Sequence, residues 1–175
     1  MRDQIIAVTV LGDDRPGIVA DVTGALAGLH GNLEDSTMTL LRGHFAMVLL
    51  VRTGAGAGAV EAALGSLAAD GSLVINARVL SEEPAVQQSG GPIYALRVHG
   101  ADRPGIVAEI TSVVARHGAN IVDLGTRLGE GLYILTAEIQ LATETSAAAL
   151  GADLQSAADE LGVDVHISPI DDDLL

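Results

Sequence analysis

The sequence predicts an α+β fold made of two successive copies of one small βαββαβ unit, each an antiparallel four-stranded sheet with both helices on one face. Three observations carry the prediction. The string DRPGIVA stands at residues 14–20 and again at 102–108, an offset of 88. With that offset Ile5 to Val51 aligns with Ile93 to Ile139 without a gap, and 17 of the 47 pairs are identical. Each copy also alternates β-branched runs with segments of helical spacing in one order, as a layered α+β sandwich does.

In the first copy, "QIIAVTVL" is a β-branched run and reads as a strand. Ile18, Val22, Leu26 and Leu29 then recur at the three- and four-residue spacing of a helix face. "LEDSTMTLLR" and "FAMVLLVR", separated by Gly43 and His44, suit two antiparallel strands joined by a tight turn. Val60, Leu64 and Leu67 make a second helical face, and "SLVINARVL" closes the unit as a strand. The second copy repeats the order: "IYALRVH", a helix with Ile106, Ile110 and Val114, and strands around Gly129 to Gly131. A helix with Leu150, Leu154 and Leu161 follows, and "VDVHISPI" ends it. This is the order of the ferredoxin-like sandwich. Between the copies "SEEPAVQQSGGP" runs from charged to polar to Gly and Pro, as a linker does. The expected domains are 1–80 and 93–175, with the linker at 81–92. Weak alternation in "AMVLLV" and "IIAVTVL" makes the uncovered sheet face apolar too, so it is expected to pack on the other copy or, second, in a homodimer.

Composition narrows the function. The 175 residues hold no cysteine, which removes disulfides, thiolate metal sites and cysteine nucleophiles together. All nine basic residues are arginines, set against 23 acids for a formal charge of −14. Such a chain repels phosphate backbones, and one Phe, two Tyr and no Trp leave little for bases to stack on, so direct nucleic-acid binding is not expected. No apolar run reaches the roughly 18 residues of a membrane span, and the opening "MRDQIIAVTVLGDD" meets its acids too early for a secretory signal. A cytoplasmic protein is expected.

The repeated turn has a mechanical logic. Pro16 fixes φ for a helix start and lacks an N–H that would go unpaired there. Gly17 permits close approach to the backbone. The amides of Gly17, Ile18 and Val19 then have no helical partner and the positive end of the helix dipole points out through them, which favours a carboxylate. Asp13 or Asp14 capping those donors is the alternative. Fifteen residues past the glycine, "GNLED" and "ANIVD" place Asn32 and Asn120 where the next strand begins. A carboxamide there both donates and accepts, which suits a small polar ligand; an Asn in a left-handed turn is the competing explanation.

A strand, then DRPG, an apolar helix, and "HGNLEDS" or "HGANIVD" opening the next strand resembles the ACT domain, a small regulatory module that binds amino acids. Two such domains without an attached enzyme are similar to the glycine cleavage system transcriptional repressor family. The resemblance implies a small amino acid, glycine or serine first, held between paired ACT domains and touched by the turn and the Asn. Carried over by residue, it selects Asp14, Arg15, Pro16, Gly17, Ile18 and Asn32, with Asp102, Arg103, Pro104, Gly105, Ile106 and Asn120 in the second copy. Arg15 and Arg103 are the cations nearest a carboxylate, although an arginine at a helix start ordinarily faces solvent. The copies differ: His30, Gly31 and Glu34 stand opposite Gly118, Ala119 and Val122, so one site is open to being empty. A transcriptional output would run through a protein partner such as a transcriptional regulator.

Rival functions find less support. Gly54 to Ala59 spells G-x-G-x-x-A between a strand and a helix, the outline of a dinucleotide turn, but the second copy has no glycine there and an 85-residue repeat is short for a parallel dinucleotide sheet. The five histidines are scattered without metal-ligand spacing, and no G-x-S-x-G elbow exists. Neither enzyme activity nor a cofactor or metal is expected. A ligand-free interaction scaffold that keeps the fold is the remaining alternative.

Overall fold

In a computed structural model of the chain, the described residues are 3–80, 91–142 and 145–170. The chain divides into two compact units, Met1–Glu83 and Pro84–Leu175. Residues 81–90 of the expected linker lie outside the described residues.

The first unit runs β1 (Gln4–Asp13), α1 (Ile18–Gly28), β2 (Asn32–Leu41), β3 (His44–Thr53), α2 (Ala57–Leu64) and β4 (Leu73–Val79). The second runs β5 (Ile93–Ala101), α3 (Ile106–Arg116), β6 (Asn120–Gly129), β7 (Leu132–Gln140), α4 (Ala147–Leu161) and β8 (Val163–Pro169). Each sheet is antiparallel, in the orders β2-β3-β1-β4 and β6-β7-β5-β8. The expected βαββαβ sandwich is therefore present twice. Because β3 and β4 both pair antiparallel with β1, they run parallel with β1 between them, so Gly54 to Ala59 opens the split crossover into α2 and no pair of adjacent parallel strands, as a dinucleotide fold has, stands beside it.

The cores follow the helical spacing read from the sequence. Ile18, Val22 and Leu26 of α1 are buried against Ile6, Val8 and Val10 of β1 and Phe45, Met47 and Leu49 of β3. Burying each such side chain contributes about 1.5–3 kcal/mol. In the second unit Ile106, Ile110, Val113 and Val114 meet Leu96, Val98, Leu135 and Leu150. The second helix of the first copy is shorter than Val60, Leu64 and Leu67 suggest: α2 ends at Leu64, and a 3-10 turn over Gly65–Ala68 carries a half-buried Leu67.

Two further details position the ends of the units. The first hairpin turn falls one residue earlier than expected, on Arg42 and Gly43 (φ 51° and 88°), and the second falls within the expected Gly129 to Gly131, on Glu130 and Gly131 (φ 48° and 84°). Positive φ at both central residues marks the type I′ turn, whose twist matches that of the strands. Gly12 and Gly100, also identical between copies, are required by close packing: a Cβ on Gly12 would lie 2.0 Å from the Ser72 carbonyl, and one on Gly100 would lie 2.8 Å from Val163. Both hold the neighbouring strand tight beside the end of β1 or β5, next to the repeated turn.

Candidate functional site

In the first unit the chain leaves β1 at Asp13, passes Asp14, Arg15 and Pro16, and enters α1 through Gly17 at φ 87°, ψ −6°. The left-handed conformation explains the glycine, because a Cβ there costs roughly 1–2 kcal/mol. The turn is pinned from both sides: the Asp13 amide donates to the Ser72 carbonyl and the Asp14 amide to the Gly43 carbonyl, both at 3.1 Å. Neither aspartate caps α1, which has no side-chain cap. The chain caps a helix where it needs to, since Ser146 Oγ accepts from the Ala149 amide at α4. At α1 the Ile18 amide makes a long 3.4 Å bond to the Arg15 carbonyl, and the amides of Gly17, Val19 and Ala20 have no partner among the described residues. Gly17 is exposed, with nothing within 4 Å of where a Cβ would sit.

The second helix start repeats the left-handed, uncapped glycine. Gly105 stands at φ 96°, ψ −10°, uncapped, with nothing within 4 Å of its absent Cβ. Pro104 and Asp102 are exposed, and Ile106, like Ile18, is buried and anchors the helix start in the core. The arginines differ. Arg15 Nη1 pairs with Asp21 Oδ2 of its own helix at 2.7 Å. Arg103 Nη1 instead donates to the Leu161 carbonyl at 3.0 Å, across Gly162 at the end of α4. Both guanidinium groups are engaged by the protein, a division of labour that the identical strings could not reveal.

Asn32 and Asn120 each open a strand, as expected, and both are exposed. Neither is in the left-handed region; that conformation falls two residues earlier, on His30 (φ 53°) and Gly118 (φ 65°). The asparagines do not meet the turn of their own unit. Asn32 sits across from Arg52, which also pairs with Ile5 near the start of β1, whereas the turn follows Asp13 at the other end, across from His44. The 11 residues of α1, about 16 Å of helix, separate the two motifs. A single amino acid touches one motif or the other within a unit.

The electrostatics at the turns are also unequal. Asp13 and Asp14 lead into Gly17, with His44 Nδ1 3.6 Å from Asp13 Oδ1, and Ser72, whose carbonyl accepts from the Asp13 amide, brings Asp70 to the same end of the unit. The Ser72 hydroxyl and amide both donate to Asp70 Oδ1, at 2.6 and 2.9 Å, and hold its carboxyl below the ordinary carboxylate value, with a smaller pull from Arg15. Ser72 and Asp70 carried no signal in the sequence, since a loop far along the chain brings them there. The second turn has Asp102 but Ala101 where the first has Asp13. Uncapped amides beside carboxylates offer donors to an anionic group and acceptors to a cationic one within a short reach, which suits a zwitterion better than a plain anion. Two cavities, of about 240 Å³ between α3 and α4 and about 190 Å³ on the second sheet, border neither turn. Among the described residues no cluster of His, Asp and Glu is arranged to hold a metal, and no helix is long and apolar enough to cross a membrane.

Comparison with known proteins agrees with the fold. A family profile described as the ACT domain matches residues 4–77 and 94–168. The glycine cleavage system transcriptional repressor of Escherichia coli is 26% identical over 155 residues, covering 87% of this chain and 80% of that protein. A UPF0237 protein of Methanopyrus kandleri is 45% identical over 71 residues, covering 40% of this chain and 79% of its own length. A crystal structure of an unknown protein from Galdieria sulphuraria superposes with a TM-score of 0.81 at 32% identity, over 97% of this chain and all of that one.

Proposed function

The chain belongs to the ACT domain family, with one copy in each half, and from that premise we propose that it is a non-catalytic amino-acid sensor whose ligand docks at the repeated turn. The amides of Gly17, Val19 and Ala20 receive the α-carboxylate, and Asp14 and Asp13 accept from the α-ammonium. In the second copy the amides of Gly105, Val107 and Ala108 and the Asp102 carboxylate take the same parts. The single observation that carries the reading is the pair of uncapped, open helix starts held in one geometry by two copies of the same string. Arg15 and Arg103 stay with Asp21 and Leu161 and do not grip the ligand.

Glycine and serine are the first ligands to test, because the relative matched over 87% of this chain is a repressor of the glycine cleavage system. With a formal charge of −14 the protein acts through a protein partner such as a transcriptional regulator, in the cytoplasm, and not by gripping DNA. Ligand binding shifts the balance between two arrangements that the partner binds unequally, and partner and ligand then alter each other's affinity by the same factor.

The test is a thermal-shift screen against the twenty amino acids. A ligand at about 100 times its dissociation constant adds roughly 2.7 kcal/mol, which raises the melting point by roughly 5 to 10 °C for a chain of this size. The shift is expected with a small amino acid and is expected to vanish in the double variant Gly17→Ala, Gly105→Ala. A flat response to all twenty, with partner binding intact, would replace the sensor by an interaction scaffold.

A further inference from the structure

The outer face of the second sheet carries a charge pattern that the first sheet lacks. Across its strands one rung reads Gly125, Thr136, Arg97, His166, and the neighbouring rung reads Asp123, Glu138, Ala95, Ser168. In the same registers the first sheet has Thr37, Val48, Thr9, Asn76 and then Asp35, Leu50, Ala7, Arg78. The two copies keep the same sheet and differ on this face. Three features of this patch belong together.

The first is a hollow. A cavity of about 190 Å³ is lined by Arg97, Asp123, Thr136 and Glu138 with Ala95, and Gly125 stands next to its Thr136 wall, where a Cβ would lie 3.6 Å from Thr136 Oγ1. Drug-sized ligands occupy roughly 300–1,000 Å³, so this space suits a metabolite of amino-acid size. The second is a repulsion. Asp123 and Glu138 are direct cross-strand partners. Like charges placed so are destabilising, and Asp123 and Glu138 make no ion pair among the described residues. The third is an idle cation. Arg97 lies one rung away and likewise makes neither a hydrogen bond nor an ion pair among the described residues. A hollow with two carboxylates at one end and a guanidinium and a hydroxyl at the other, the three charged groups without an ion pair among the described residues, holds its charges apart for something to bridge.

We propose that this hollow binds a basic amino acid, at a site separate from the repeated turns and independent of what those turns bind. Its carboxylate bonds Arg97 and the Thr136 hydroxyl, and its two ammonium groups meet Asp123 and Glu138. The site carries two negative charges and one positive, and a basic amino acid carries two positive and one negative, so the sums cancel. A small neutral zwitterion satisfies only one of the two carboxylates.

The test is an amide-resolved NMR titration of the full chain with L-lysine and with norleucine, which keeps the α groups and chain length but lacks the ε-ammonium. Lysine is expected to give saturable shifts at the amides of Arg97, Gly125 and Thr136 while those of Gly17 and Gly105 stay in place, and norleucine to bind at least about tenfold more weakly. Gly125→Thr, which installs the side chain the first sheet carries, is expected to abolish the response. It should keep the fold, because a Cβ at Gly125 meets only Thr136 Oγ1, at 3.6 Å, and β-branched residues favour strands. Glu138→Gln is expected to weaken lysine binding by about tenfold or more. The proposal is overturned if lysine gives no saturable shift at these amides, if norleucine matches it, or if the response survives Gly125→Thr. Shifts at Gly17 and Gly105 alone would overturn it while leaving the turn reading intact.

Discussion

Arg103 reaches across the second unit to the Leu161 carbonyl at 3.0 Å, whereas the aligned Arg15 turns back to Asp21 of its own helix at 2.7 Å. One residue type in one repeated string thus ties a turn to the far end of α4 in one copy and decorates a helix surface in the other.

Replacing each arginine by Met separates the two roles. Arg103→Met removes a charge-assisted bond that closes the end of α4 and is expected to cost about 1 kcal/mol. Arg15→Met breaks a pair whose side chains are 42% and 44% exposed, and such pairs contribute about 0–1 kcal/mol, with the low end expected in salt. Urea unfolding of both variants, with hydrogen exchange at Leu161 to Val163, checks the contrast; equal losses with unchanged exchange would contradict it.

Thr53 is a buried polar side chain, donating through Oγ1 to the Leu29 carbonyl at 3.0 Å and accepting from the Ala55 amide at 3.1 Å. Thr53→Val keeps the shape and strands both partners, so a loss of about 1–3 kcal/mol is expected in chemical denaturation. Thr53→Ser should recover most of it.

Gly12→Ala should be the costlier of two matched substitutions. Its new methyl group meets the backbone oxygen of Ser72 at 2.0 Å, whereas that of Gly100→Ala meets Val163 Cγ1 at 2.8 Å and Val163 Cα and Cβ at 3.0 Å, a milder overlap that needs a smaller shift of the neighbouring strand. Overpacking of this kind costs about 1–3 kcal/mol, and melting temperatures of the two variants should fall in that order.

Acid should loosen the first unit through Asp70. Its carboxyl is held below the ordinary 3.8 by the Ser72 bonds. A depressed native pKa stabilises above the unfolded value and loses that contribution as pH falls through the native one. The first unit's melting point should therefore decline below about pH 4, and Asp70→Asn should decline less over that range while starting lower at neutral pH. A parallel decline in both proteins would remove Asp70 from the account.

The fold was largely legible because its signals are local and said twice. Ile18, Val22 and Leu26 announce a helix by spacing alone, and their echo in Ile106, Ile110 and Val114 shows that the pattern is no accident of composition. The hairpin was legible too, but not its register by one residue: glycine marks a turn, while the positive φ of Arg42 and Glu130 is imposed by the twist of the strands. The candidate site was half legible. DRPG correctly marks an open helix start, but capping by Asp13 or Asp14 could be decided only by where the side chains go, and they do not cap. The distance between Gly17 and Asn32 was hidden altogether, since fifteen residues in sequence say nothing of the direction in which a helix carries the chain. Asp123 facing Glu138 depends on pairing between strands and a bulge between Ile121 and Asp123, which no local pattern encodes.

Each unit carries its two recurrent motifs at opposite ends of its first strand. A contact made at one end leaves the other open to a different one, and the packed route joining them is the ridge of Ile18, Val22 and Leu26. Gly17→Ala combined with Asn32→Asp should therefore show no epistasis in stability beyond about 0.5 kcal/mol, so any larger coupling measured in the presence of a ligand would be the ligand's own work.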